Sequence, residues 1–146
     1  MIVQLDDTDR ALIAALQSNA RQPVADLARG LGLARTTVQA RLERLERGGA
    51  ILGYTLRLGE AASAPLHATA LVNIELRAGP AVLARLRSLP AVQVVHTTSG
   101  RFDLLVQIAA QTTQELDETL DRIGETRGVK GSESLIHLST KIDRSG

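Results

Sequence analysis

Seven arginines lie between residues 21 and 57, at positions 21, 29, 35, 41, 44, 47 and 57, against only Asp26, Glu43 and Glu46. That local excess of four positive charges, in a chain whose net charge is +1, suits a polyanion, because a phosphate backbone is met by many cations spread over one face. Residues 60–146, with nine basic and ten acidic side chains, are close to neutral. A second constellation sits there: Thr98, Gly100, Arg101 and Asp103 bring together a hydroxyl, a glycine that permits close backbone approach, main-chain amides and an acceptor-only carboxylate. A small zwitterion needs those parts, with Asp103 accepting its ammonium and the Gly100 and Arg101 amides facing its carboxylate. A plain hairpin turn needs the same parts, with Asp103 bonding the local backbone and Arg101 solvated. On the residues alone both remain open.

Other chemistry is narrowed by composition. The chain has no Cys, which removes disulfides, thiol catalysis and Cys-ligated zinc. His67, His96 and His137 are the only imidazoles; they fall on expected strands or strand edges and lack metal-ligand spacing, so neither a metal nor a catalytic residue nor a cofactor is expected. With Tyr54 and Phe102 as the only aromatics, a sheet that reads RNA by stacking bases lacks its material. Residues 1–10 hold three Asp and no basic stretch, and the longest unbroken apolar run is the six residues from Ala11 to Leu16. An unprocessed cytoplasmic chain without a membrane partner is expected.

The arginines are positioned by a helical third of the chain. Asp6 or Asp7 can cap a first helix bearing Leu12, Ile13 and Leu16, with Asp9 favourable in its first turn and an end near Asn19. Pro23 suits the first position of a second helix carrying Val24, Leu27, Ala28 and Leu31, which Gly32 closes in a left-handed conformation. A third helix from Ala34 or Arg35 buries Val38, Leu42 and Leu45 and stops at Gly48-Gly49. A turn of about three residues between two short amphipathic helices is helix-turn-helix geometry, in which the second helix of the pair enters the major groove. Its outward face holds Thr36, Thr37, Gln39, Ala40, Glu43, Arg44 and Arg47, flanked by Arg35 and Arg41. For Arg41, near the core edge, the alternative is packing of its stem over the apolar stripe. Residues 50–58 then alternate apolar and polar after the Gly-Gly turn, which predicts the strand of a wing.

Residues 58–66, rich in Ala, Gly and Ser, read as a linker between domains at 1–57 and 67–146. Beyond it Ala70, Val72, Ile74 and Leu76 alternate as a strand; Pro80 opens a helix with Val82, Leu83, Leu86 and Leu89 inward. Val92, Val94 and His96 mark a second strand, and Leu104, Val106 and Ile108 a third. Thr112 to Glu115 spells a capping box for a helix bearing Leu116, Leu120 and Ile123 and ending near Gly128. Ile136, Leu138, Thr140 and Ile142 alternate in a last strand. The order βαββαβ predicts an α+β architecture, with a ferredoxin-like antiparallel sheet carrying both helices on one face. Leu71, Val95, Leu105 and Leu135 fall on the opposite face. A second copy of the sheet, packed by a two-fold contact, is the simplest cover.

In sequence order, Leu5-Asp6-Asp7-Thr8-Asp9, Asn19-Ala20-Arg21, Leu27-Ala28, Gly32-Leu33, residues 38–46, Ile51-Leu52-Gly53-Tyr54 and residues 98–105 resemble the Lrp/AsnC family of regulators over nearly the whole chain. The resemblance implies a dimer built through the C-terminal sheets, often assembled into tetramers or octamers, that binds double-stranded DNA and responds to an amino acid or related metabolite. It implies that residues 98–103 are the effector loop, with Thr98, Gly100, Arg101 and Asp103 as ligand contacts. With the outward placement on the third helix, the expected DNA face is Arg35, Thr36, Thr37, Gln39, Ala40, Arg41, Arg44 and Arg47. One departure is the start of the third helix, where many members carry Ser or Pro and this chain has Leu33-Ala34-Arg35-Thr36; Ala34 cannot cap through a side chain.

Two other functions compete. Sirohaem decarboxylases share the two-domain fold but need no basic reading helix, whereas this chain supplies Arg35, Arg41, Arg44 and Arg47. A sequence-tolerant architectural DNA-binding protein would show binding governed by salt and bending rather than by operator sequence.

Overall fold

The first helix, α1 (Asp7–Ser18), starts where two carboxylates interlock: the Asp6 side chain accepts from the Asp9 N–H at 2.8 Å, and the Asp9 side chain accepts from the Asp6 N–H at 3.1 Å. This capping box satisfies two of the amides a helix start leaves free. In the computed structural model, which describes residues 3–145, two compact units meet in sequence at Arg57 and Leu58. Met1, Ile2 and Gly146, the outer ends of the expected domains, lie outside the described residues.

The first unit continues with α2 (Val24–Leu31) and α3 (Arg35–Arg47). Pro23 stands at the N-cap, one residue before the position expected for it, with extended backbone. Gly32 turns the chain with φ 67°, a conformation that costs other residues a Cβ clash. Leu12, Leu27, Ala28, Val38 and Leu45 are buried together, and Leu16, Val24, Leu31, Leu42 and Ile51 pack around them.

The expected wing strand is not formed. Residues 51–58 carry no strand, and among the described residues none pairs with them. Alternation of apolar and polar residues describes two faces, but a strand exists only against a neighbour that takes up its amides and carbonyls. Leu52 and Leu56 are 95% and 79% exposed. The segment is held at two points, by Ile51, whose N–H donates to the Leu45 carbonyl, and by Tyr54, whose hydroxyl donates to Glu46 at 2.8 Å.

The second unit runs β1 (Leu66–Ile74), α4 (Gly79–Arg87), β2 (Val92–Thr97), β3 (Leu104–Ala110), α5 (Thr113–Gly124) and β4 (Val129–Ile136). The strands are antiparallel in the order β2-β3-β1-β4, so the fold is α+β with the expected ferredoxin-like topology. Val82 and Leu86 of α4 and Leu116 and Ile123 of α5 share one core with Ala68, Ala70, Val72, Leu104, Val106 and Ile108. Both helices therefore cover the same sheet face.

Several expectations are corrected in detail. β1 ends at Ile74, leaving Leu76 92% exposed beyond it. In β2 the register shifts between Val92 and Val94, so Val95 opposite Val106 packs with the helices while Val94 and His96 turn to the open face. The bulge, which adds a residue on one strand only, reverses the alternation read from the sequence. Thr112 caps α5 through Glu115 N–H, but the Glu115 carboxylate reaches the Gln111 N–H instead of completing the box at Thr112. That helix ends at Gly124 rather than near Gly128. β4 ends at Ile136, so Leu138, Thr140 and Ile142 lie beyond it and exposed. Gly128, at φ 98°, lets the chain pass where a Cβ would stand 2.7 Å from that of Ala78. No helix among the described residues is long and apolar enough to cross a membrane.

Candidate functional site

The face expected to meet a polyanion is borne by α3. Arg35, Thr36, Thr37, Gln39 and Ala40 are all exposed, and Arg47 is exposed with only a loose i,i+4 contact to Glu43 at 3.4 Å. Such a surface pair holds little energy and leaves Arg47 free to exchange partners. Ala34 offers no side chain to the helix start. The amides of the first turn therefore have no side-chain cap.

Arg41 and Arg44 behave differently, each being engaged by carboxylates of α1 and its cap. Arg41 donates through Nη1 to both oxygens of Asp6, at 2.9 and 2.8 Å, and to Asp9 Oδ1 at 3.0 Å. Arg44 donates through Nη2 to Asp9 Oδ2 at 2.5 Å. Asp9, expected only to favour the first turn of its helix, is completely buried. Burial pushes its carboxyl up, but the hydrogen bonds from Arg44, the Asp6 N–H and Arg41 outweigh that and hold it at about 2. Asp6 is lowered as well, first by Arg41 and then by the Asp9 amide. The four charged groups line one open hollow with Thr36, Thr37, Ala40 and Gln4; Arg35, Gln39 and Arg47 lie outside it.

Asp6 and Asp9 lie outside the local charge excess of residues 21–57, which begin after them, so that excess does not reveal them as partners. A signal was present: two acidic residues spaced i,i+3 at the start of one helix match two arginines spaced i,i+3 on another.

The expected effector loop connects β2 to β3 as a tight hairpin. The Thr98 N–H donates to the Asp103 carbonyl at 2.9 Å, the Thr98 hydroxyl donates to the Phe102 carbonyl at 2.6 Å, and Gly100 has φ 104°. Asp103 reaches across to β1: its N–H donates to the Val72 carbonyl at 3.0 Å, and its Oδ2 accepts from the Ile74 N–H at 2.9 Å. Arg101 lies 5.5 Å over the Phe102 ring and 3.7 Å from Glu133, a pair exposed on both sides. The hairpin reading thus holds for Thr98, whereas the Asp103 carboxylate bonds not the local backbone, as that reading expects, but Ile74 on β1. Among the hydrogen bonds of this loop, none engages Asp103 Oδ1.

Comparison with known proteins matches both units. An AsnC-type helix-turn-helix domain fits residues 5–46, and an Lrp/AsnC ligand binding domain fits residues 69–146. The HTH-type transcriptional regulator FL11 of Pyrococcus horikoshii is 31% identical over 96% of this chain and 93% of its own length. Among solved structures, the regulator NMB0573 of Neisseria meningitidis, in complex with L-methionine, superposes with a TM-score of 0.87 at 26% identity, over 96% of this chain and 94% of that one. The feast or famine regulatory protein of Mycobacterium tuberculosis, also complexed with L-methionine, gives 0.86 at 29% identity over 98% of both chains. With both of its units matched in order and relatives aligned along nearly its whole length, the chain belongs to the Lrp/AsnC family of transcriptional regulators.

Proposed function

We propose that this regulator is a cytoplasmic, non-enzymatic protein that binds operator DNA through α3 and whose DNA binding or assembly responds to a small amino acid. The observation that carries the reading is the row Arg35, Thr36, Thr37 and Gln39, all exposed on the first turns of α3 directly after the Gly32 turn. Guanidinium, hydroxyl and amide groups there serve phosphates and base edges alike. Residues 1–57 would be the DNA-binding domain, 58–66 a linker, and 67–146 the effector and oligomerisation domain. The amino acid would sit beside residues 98–103, its ammonium on Asp103 Oδ1 and its carboxylate on the Gly100 and Arg101 amides, with Thr98 nearby. Two relatives of this fold were solved with L-methionine, which supports that class of ligand.

Oligomerisation would use the open sheet face, where Leu71 and Leu105 are only partly covered and Val94 and Leu135 are 39% and 53% exposed. A second copy covers such a patch and doubles the number of reading helices, giving at least a homodimer, and tetramers or octamers by further contacts. Selection of genomic fragments bound by the purified chain, repeated with each amino acid, tests the whole reading. Recovery of a recurrent motif whose yield shifts with one amino acid is the expected result; recovery of unrelated sequences, indifferent to all of them, overturns it.

A further inference from the structure

Asp9 is a fully buried carboxylate on α1 whose two oxygens are shared between two residues of α3. Helix capping alone does not require that burial, since Asp6 already caps the helix from an exposed position. Burying a carboxylate is expensive unless it is paired and hydrogen-bonded, and this one is paired twice. Arg41 and Arg44 are three residues apart on α3, so one carboxylate between them sets both the rotation of that helix about its axis and its position along α1. The same contacts consume charge. Two arginines and two aspartates form a neutral group, leaving Arg35 and Arg47 as the α3 cations that face outward without a buried partner.

We infer that Asp9 is a specificity-determining residue that never touches DNA: it holds Arg41 and Arg44 as positioning contacts and keeps them from acting as free phosphate ligands. The inference rests on the proposed role of α3 in DNA binding. Base contacts by Thr36, Thr37 and Gln39 need placement to within about 0.5 Å, whereas a long arginine reaching a phosphate tolerates far more. Without the Asp9 charge Arg44 is released and Arg41 keeps only Asp6, which exchanges sequence reading for indiscriminate attraction. The clamp does not titrate near neutrality, because Asp9 stays ionised down to about 2.

The test compares affinity for a duplex recovered by genomic selection with affinity for a scrambled duplex of equal length, each measured across a range of salt. In Asp9→Asn the ratio of the two affinities is expected to fall about tenfold or more, and the plot of log affinity against log salt for the scrambled duplex to steepen by about one unit as the freed Arg44 meets a phosphate while Arg41 stays on Asp6. Arg44→Gln, which leaves Asp9 held by Arg41, is expected to lower the ratio while keeping the wild-type slope, since its charge is already spent. A slope flattened by about 0.9 in Arg44→Gln identifies Arg44 as a phosphate ligand and overturns the inference. So does an Asp9→Asn protein that melts earlier yet keeps both ratio and slope, a result that marks Asp9 as purely structural. If Asp9→Asn does not fold, Arg44→Gln alone decides. Failure of the wild-type chain to prefer any selected duplex removes the DNA-binding reading itself, and this inference with it.

Discussion

A carboxylate held at about 2 in the folded chain, against 3.8 for an ordinary Asp, ties stability to acid. The depressed group stabilises the fold fully above about pH 4, and the contribution is lost as pH falls toward 2, because the unfolded chain takes up the proton first. Chemical denaturation between pH 5 and pH 2 is expected to show a steep loss for the wild type and a shallower one for Asp9→Asn, which starts less stable at neutral pH. Equal pH dependence in both proteins would contradict the geometry. Asp103 makes a second residue-level case, since one oxygen serves the Ile74 amide and the other is the one proposed above to meet an ammonium. Asp103→Asn keeps an acceptor for that amide but loses the charge for an ammonium. It should therefore melt close to the wild type and give no heat with amino acids in calorimetry, whereas Asp103→Ala should also lose about 1 kcal/mol of stability. Of Asp103 the sequence shows only its place in a hairpin; the Ile74 amide that its carboxylate holds lies on another strand, 29 residues away. The role of Asp9 was not legible either, because it depends on residues more than thirty positions away being folded onto it.

Elements were legible wherever one helix or strand met one core. Caps at Asp6 and Thr112, the stop at Gly32 and the stripes of α2 and α3 follow from local chemistry, and all appear at or within a residue of the expected place. Gly32 should be intolerant of a side chain: with φ 67°, Gly32→Ala is expected to cost about 1–2 kcal/mol in urea denaturation, although its Cβ would meet nothing within 4 Å. The strain is conformational, so no compensating truncation nearby should restore it. Illegible elements share one cause, dependence on pairing. Residues 51–58 alternate as well as any strand but have no neighbour to pair with among the described residues, while β2 alternates correctly only until its bulge at residue 93. Likewise β4 ends near the start of β1 beside it: its last pair is Ile136 with Ala68, and residues 140 and 142 would lie past Leu66, where β1 begins.

For the whole molecule the unfinished surface is the sheet face opposite α4 and α5. Its apolar members are moderate in size and exposure, with polar residues such as Gln107 and Glu133 between them, and it is the face proposed above to meet a second copy. Leu135→Glu, changing a side chain already 53% exposed, should leave the subunit folded by circular dichroism yet shift sedimentation toward monomer. Because two linked reading helices add their contacts, the same variant should lose operator affinity by about two orders of magnitude or more. An unchanged oligomer would place the interface elsewhere. The charge asymmetry behind these assignments was visible from the first count of arginines, but its size was overstated: with Asp6, Asp7 and Asp9 folded into the same unit, two of the seven arginines are already neutralised.

The hydrogen bond from Tyr54 to Glu46 gives the molecule an intrinsic optical reporter. The chain has one tyrosine and no tryptophan, so its near-ultraviolet emission arises almost wholly from that phenol. The phenol is tethered to α3 at 2.8 Å, and burial together with the Glu46 carboxylate pushes its ionisation above 10. Release of residues 51–58 from α3 would remove the carboxylate from the excited ring, brightening the emission and bringing the phenolate absorbance in at lower alkalinity. Ligand or DNA titrations can thus be followed in the unlabelled protein, and any spectral change refers to that one segment.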